Sequence, residues 1–171
     1  MEIYDVLHAE HRQLLENLEE LVDAEGAHRR QLLEMVADEM SAHGAAEDQV
    51  LYDRLATNAH MHALILEAKQ EHHVVGLLLT ELLALDVDDE RFAGKVKILR
   101  ELIDAHIEGE EEDMFEEARR LTGLAAESLA GEYLNAREHV AELTPLARLA
   151  AVDRKNEQKQ PAVRPADEAR L

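Results

Sequence analysis

Two histidine–glutamate pairs carry the clearest chemistry in the sequence. His106 and Glu110 interrupt an apolar stripe over residues 99–114, and His43 and Glu47 repeat the same spacing. Residues four apart lie on one face of a helix, so each pair can bind one divalent cation or bridge two. A hydrogen-bonded core pair, or a solvated acidic run that extends over the helix edge, would also explain a single pair. The repetition of the pattern favours metal binding.

The composition favours a helical protein without thiol chemistry. The 171 residues include no cysteine, which excludes disulfides and thiolate metal sites. The 38 acidic and 18 basic residues give a formal charge of −20, which argues against a nucleic-acid backbone or an anionic membrane as a partner. The first residues lack the basic segment and apolar run of a secretory signal, and no stretch is long enough to span a membrane. We therefore expect a cytoplasmic protein.

The apolar periodicity predicts four long amphipathic helices and a shorter fifth one. They fall at about residues 2–23, 28–56, 59–85, 90–121 and 124–143, separated by short turn signals. Their expected inward faces include Val22, Leu134 and either Met35 or Val36. Long helices joined by short turns predict an all-α, up-down-up-down four-helix bundle with an additional C-terminal helix. We expect residues 1–143 to form this domain and residues 144–171 to be a weakly ordered polar extension.

Each of the four long helices carries one inward histidine, and a residue count places these histidines at one height. His11 lies roughly 12 residues before the end of its helix and His43 roughly 15 after the start of the next, so at about 1.5 Å per residue the two distances nearly cancel. The same count aligns the histidines of the third and fourth helices. We therefore expect one slab near the middle of the bundle that contains His11, His43, His72 and His106, with Glu47 and Glu110 one turn away.

Four imidazoles at one level of a core each need a polar partner. A bundle interior that collects imidazoles and two carboxylates is a common way to hold two metal ions, with the carboxylates as bridges. Nitrogen and oxygen ligands without sulfur suit iron, manganese or zinc. The residues alone therefore predict a metal centre and leave the identity of the metal open.

Four stretches in this order resemble the signature of the hemerythrin-like, or HHE cation-binding, domains, over about residues 1–143. They are Ala9-Glu-His11-Arg, His43-Gly-Ala-Ala-Glu47 followed by Asp-Gln-Val-Leu-Tyr52, Glu71-His72-His-Val-Val, and His106-Ile-Glu-Gly-Glu110 followed by Glu-Glu-Asp-Met-Phe115. The resemblance implies a non-haem pair of iron ions with an oxo or hydroxo bridge. It also implies the ligands, which are the terminal residues His11, His43, His72 and His106 and the bridging residues Glu47 and Glu110.

Two departures from the family pattern bear on function. Oxygen-carrying hemerythrins have a second histidine on the third helix where this chain has Gly76, so one ion would hold water, an open position or a substitute ligand such as His8. We expect Gly76 to leave room for a small ligand or solvent, with close helix packing as the alternative. The carriers also have an aspartate five residues after the last histidine, whereas Glu110 stands at four. This difference favours sensing, storage or redox chemistry over reversible oxygen carriage.

The remaining residues near the pairs are interpreted as structural. Tyr52 and Phe115 are expected to pack at one end of the core, and the acidic residues next to Glu110 are expected to form a solvated face, namely Glu108, Glu111, Glu112 and Asp113. His73 points about 100° away from its neighbour His72 and is expected at the surface or between helices.

Three function classes remain open. The first is a di-iron protein that binds dioxygen, peroxide or nitric oxide for sensing, storage or oxidative-stress defence. The second is an enzyme that disproportionates hydrogen peroxide as a catalase does. The third is a structural or interaction bundle whose helices are stapled by the metal. Iron is the expected metal, with manganese or zinc as alternatives.

Overall fold

The computed structural model describes residues 1–141, and this part of the chain is almost entirely helical. In chain order the elements are α1 (Ile3–Asp23), α2 (Gly26–Glu47), a π-helical segment (Asp48–Tyr52), α3 (Asp53–Leu55), α4 (Ala59–Ala84), α5 (Phe92–Glu108), a second π-helical segment (Gly109–Met114), α6 (Phe115–Thr122), a 3-10 turn (Gly123–Ala125) and α7 (Ala126–Ala141). No strand occurs in residues 1–141. The predicted all-α bundle with an additional helix is confirmed.

The four bundle helices are α1, α2, α4 and α5, and α7 packs along α1 and α2. The first π-helical segment and α3 extend α2, while the second π-helical segment and α6 extend α5. The side chain of Asn58 starts α4 by accepting hydrogen bonds from the backbone N–H groups of His60 and Met61. Gly123 ends α6 with a φ of +50°, a left-handed conformation that costs glycine little.

The apolar core consists of two clusters, one on each side of the histidine level. The first cluster joins the start of α1 to the end of α2 and the start of α4, and its fully buried members include Leu7, Leu51 and Phe115. The second joins the later half of α1 to the first half of α2 and the start of α5, and it includes Leu18, Leu33 and Leu99. A polar level therefore divides the bundle interior.

The structure decides between two expected inward positions and corrects two others. Val36 is buried on α2, whereas Met35 is 39% exposed. Val22 and Leu134 were expected to face inward, but both are exposed. The boundary at residue 143 and the extension 144–171 lie outside the described residues. Within residues 1–141, no helix combines the length and the apolar character that a membrane crossing needs.

Two leucines on α4 test the orientation of this helix. Leu79 is fully buried in the second cluster, and Leu77 is 46% exposed. We expect Leu79→Ala to lower the free energy of unfolding by about 2–5 kcal/mol, because it leaves a cavity in the core. The matched variant Leu77→Ala should stay within about 0.5 kcal/mol of the parent protein. Urea unfolding of the metal-free protein measures both values, and equal losses would contradict this packing.

Candidate metal centre

Six residues meet between the two apolar clusters, and none of them is more than 6% exposed. They are the residues singled out in the sequence, namely His11, His43, Glu47, His72, His106 and Glu110. Their potential ligand atoms form two overlapping groups, within each of which all atoms lie within 4.8 Å of one another. One group contains His43, Glu47, His72 and His106, and the other contains His11, His43, Glu47 and Glu110. Each group has the size and donor types of a cation site.

Glu47 belongs to both groups. Its Oε2 lies 3.1 Å from Nε2 of His43 and 3.4 Å from Nε2 of His72. The carboxylate therefore lies between imidazoles from two helices, α2 and α4. His43 is also common to both groups, but an imidazole nitrogen has one lone pair, whereas a carboxylate has two oxygens. Glu47 is thus the residue best suited to contact two cations at once.

Glu110 lies between the imidazoles of α1 and α5, as Glu47 lies between those of α2 and α4. Its Oε2 lies 3.3 Å from Nε2 of His11 on α1 and 3.6 Å from Nε2 of His106 on α5. The hydroxyl of Tyr52 donates a hydrogen bond to Oε1 of Glu110 and lies 3.5 Å from Oε2 of Glu47. Tyr52 therefore connects the two carboxylates, and its expected role as a packing residue alone was incomplete.

A π-helical segment accompanies each carboxylate. The first begins directly after Glu47 and ends with a hydrogen bond from the N–H of Asp53 to the carbonyl of Asp48. The second contains Glu110 and ends with a bond from the N–H of Phe115 to the carbonyl of Glu110. Such five-residue bonds widen a helix locally and are often found at functional sites. Because one π-helical segment lies at each of the two central glutamates, the widened helix turns belong to the structure of the site.

Outer carboxylates orient three of the four imidazoles. Each contacts the Nδ1 atom of a histidine on another helix, and the distances are 2.8 Å from Glu111 to His11, 3.4 Å from Glu10 to His43 and 2.9 Å from Glu71 to His106. A carboxylate that accepts from Nδ1–H leaves Nε2 unprotonated in the neutral ring. Such partners commonly fix the orientation of metal-bound imidazoles. The three rings are thus turned with Nε2 toward the centre.

The additional helix α7 also contributes to this outer layer. The hydroxyl of Tyr133 donates to Oε2 of Glu10 at 2.6 Å and lies 3.0 Å from Nδ1 of His43. Arg137, one turn further along α7, places Nε 3.1 Å from Oε1 of Glu10. The orientation of His43 therefore depends on contacts from a helix outside the four-helix bundle.

The carboxylates of the site raise the pKa of both His43 and Tyr52. Burial alone would lower the pKa of His43, but the Glu47 and Glu10 carboxylates outweigh burial and raise this pKa to about 10. Burial raises the pKa of Tyr52 well above its ordinary value, and the Glu110 and Glu47 carboxylates raise it further. Tyr52 therefore keeps its proton at neutral pH.

Several atoms that face the centre are buried without a hydrogen-bond partner within residues 1–141. They are Nε2 of His11, Nε2 of His43, Oε1 of Glu47 and Oε2 of Glu110. Leaving such atoms unpaired costs about 1–3 kcal/mol each. Cations between them would satisfy these atoms, and imidazole and carboxylate are donors that iron, manganese and zinc accept. The residues present therefore fit a pair of metal ions.

Two glycines border His72. A Cβ atom at Gly44 would lie 3.0 Å from Nδ1 of this histidine, so a larger residue at this point of α2 would require the ring of His72 to shift. Gly76 lines a neighbouring cavity of about 20 Å³ together with Gly44 and His72. A cavity of this size admits one water molecule. Gly44, which the sequence did not single out, lies at the close approach to His72, while Gly76 lines the small cavity.

Other expectations about nearby residues need correction. Glu111 was expected in a solvated face, but it is only partly exposed and its Oε1 lies 2.8 Å from Nδ1 of both His8 and His11. His8 contacts Glu111 and the ring of Phe115 and lies outside both candidate ligand groups. Glu10 and Glu71 were also overlooked. Each immediately precedes a candidate ligand in a Glu-His pair, and the 100° turn per residue directs it toward a neighbouring helix.

Comparison with known proteins gives one match. The family described as the Hemerythrin HHE cation binding domain matches residues 2–118, from the start of α1 into α6. No curated protein and no solved structure matches the chain significantly. The matched residues make up more than half of the chain and include all six residues of the centre. The chain therefore belongs to the hemerythrin HHE cation-binding domain family.

Proposed function

We propose that this protein holds two iron ions at the six central residues and binds a small ligand there, namely dioxygen, peroxide or nitric oxide. The observation that carries this proposal is the position of Glu47, which belongs to two overlapping groups of potential ligand atoms. Glu110, between His11 and His106, provides a second bridging position. Sensing, storage and oxidative-stress defence are the roles that fit such a site.

The number of protein donors supports exogenous ligand binding. Four imidazole nitrogens and two bridging carboxylates would give each of two ions four protein donors. Iron commonly accepts five or six ligands, so positions remain for a small molecule. Bound iron would supply Lewis acidity and a change of oxidation state. The cavity of about 20 Å³ beside His72 and Gly76 has room for one water molecule next to the His72 ring.

Disproportionation of hydrogen peroxide to water and dioxygen is a second candidate, and Tyr52 is the observation that favours it. The Tyr52 hydroxyl is buried, protonated and in contact with both carboxylates. The hydroxyl is a proton donor in direct contact with the proposed bridging carboxylates, and positioned acids typically contribute 10²–10⁴-fold to steps that transfer a proton. Manganese in place of iron is compatible with the same donors.

The iron content of Glu47→Gln tests the shared carboxylate. We expect the parent protein to contain two iron ions per chain and Glu47→Gln fewer than one, because the amide is a weak ligand and both groups lose a member. Glu39→Gln on the same helix is the matched control, since Glu39 bonds Asn17 and lies outside both groups. Elemental analysis of protein from iron-supplemented cells gives the ratio. Two ions in Glu47→Gln would contradict the assignment.

Removal of iron tests how far the centre stabilises the fold. Binding at one hundred times the dissociation constant contributes about 2.7 kcal/mol, so chelation should lower the unfolding temperature by roughly 5–10 °C. The far-UV circular dichroism should stay helical, because the two apolar clusters remain on either side of the centre. Complete unfolding on chelation would instead favour the metal-stapled structural bundle.

Tyr52→Phe tests the second candidate function. The variant removes the hydroxyl and keeps the ring, which stacks on His72 with centroids 5.8 Å apart. We expect unchanged iron content and a loss of at least about 10-fold in oxygen release from hydrogen peroxide, measured with an oxygen electrode. Tyr4→Phe is the control, because the Tyr4 hydroxyl contacts Thr122 away from the centre. Equal rates in both variants would exclude this role for Tyr52.

A further inference from the structure

Grooves on three sides of the bundle reach different histidines of the centre, and their charges differ. The groove beside α7 reaches His43 and includes Arg137. The groove between α1 and α5 reaches His11 and includes Arg12 and Arg100. The third groove lies between α4 and α5, has a volume of about 280 Å³ and has no lysine or arginine in its lining. Its lining therefore has the most negative formal charge of the three.

The carboxylates of this third groove lead from the surface to the centre. Glu67 on α4 and Asp113 on the second π-helical segment are exposed, and Glu71 lies deeper and is half-buried. His106 and Glu110 form the buried floor. We call this set the acidic groove. Within residues 1–141, Glu67 and Asp113 have no salt bridge, so their charges are not neutralised by a neighbour.

A buried carboxylate lies at the inner end of the acidic groove. Glu110 lines the groove, is 1% exposed, and its Oε2 has no hydrogen-bond partner in the described part of the chain. Glu71 accepts a hydrogen bond from Nδ1 of His106 at 2.9 Å and so contacts the centre from the groove side. The groove thus ends on a bridging carboxylate and a histidine rather than on an apolar wall.

We propose that the acidic groove is the route by which a hydrated divalent cation reaches the centre. Glu67 and Asp113 attract the cation at the outer end of the groove. Glu71 then passes it to His106 and Glu110. This inference rests on the proposed metal-binding function. A cleft lined by one sign of charge concentrates the opposite charge and raises its association rate 10- to 1000-fold. Carboxylate oxygens also replace water ligands of a divalent cation one at a time, which allows stepwise transfer.

Gly109 offers an independent way to obstruct this route. It lines the acidic groove and has ordinary helical angles, with φ −60° and ψ −39°. A Cβ atom added there would meet no atom within 4 Å. The substitution Gly109→Leu therefore places a bulky side chain at the groove without backbone strain.

Stopped-flow uptake of Co²⁺ by the metal-free protein tests the route, because bound Co²⁺ absorbs visible light. At low salt we expect Glu67→Gln/Asp113→Asn to slow uptake about 10-fold with two ions still bound at the end. The control is Glu16→Gln/Glu19→Gln in the groove beside His11, which removes the same number of charges. Its rate should stay within about 2-fold of the parent rate if the local potential controls entry.

The salt dependence of uptake, the Gly109→Leu variant and the number of bound Co²⁺ ions distinguish a wrong route from a wrong metal centre. The difference between the two double variants should diminish at 1 M salt, where the screening length falls to about 3 Å. Gly109→Leu should slow uptake at low and high salt alike. Equal effects of the two double variants, or no effect of either, would overturn the route while leaving the metal centre intact. A parent protein that fails to take up two Co²⁺ ions would overturn the proposed function, and the route with it.

Discussion

Four imidazoles and two carboxylates can stay at the middle of an apolar bundle only if their polar atoms are satisfied, and the surrounding structure follows from this requirement. The outer carboxylates of Glu10, Glu71 and Glu111 take the Nδ1 side of three rings, which leaves the Nε2 side for the centre. The Tyr52 hydroxyl connects the two inner carboxylates. The buried polar atoms without a hydrogen-bond partner within residues 1–141 include Nε2 of His11, Nε2 of His43, Oε1 of Glu47 and Oε2 of Glu110, and cations at the centre would satisfy these four atoms.

The shared level of the histidines was predictable from the sequence because a helix rises by a nearly constant amount per residue. Residue counting therefore placed His11, His43, His72 and His106 together without any knowledge of side-chain contacts. The inward direction of Glu47 and Glu110 followed from the same periodicity. These inferences depend on regular geometry, and the bundle helices are regular up to the centre.

Features that depend on contacts between helices were not predictable in the same way. Glu10 and Glu71 look like ordinary helix surface residues, and their role emerges only when the neighbouring helix brings a histidine to them. The π-helical segments escaped prediction because the apolar pattern continues through them. The role of Tyr133 depends on how α7 packs against α1 and α2, and α7 lies beyond the residues that match the family. The support of His43 therefore includes a helix outside the matched residues.

The division of the core into two apolar clusters has a consequence for the alignment of the helices. In a bundle with a uniform leucine core, one helix could slide by a turn, about 5.4 Å, at little cost, because similar side chains would meet again. Here the same displacement would carry an imidazole into one apolar cluster and set a leucine against Glu47 or Glu110. The polar level therefore acts as a register mark that holds each helix at one height, even before any cation is bound.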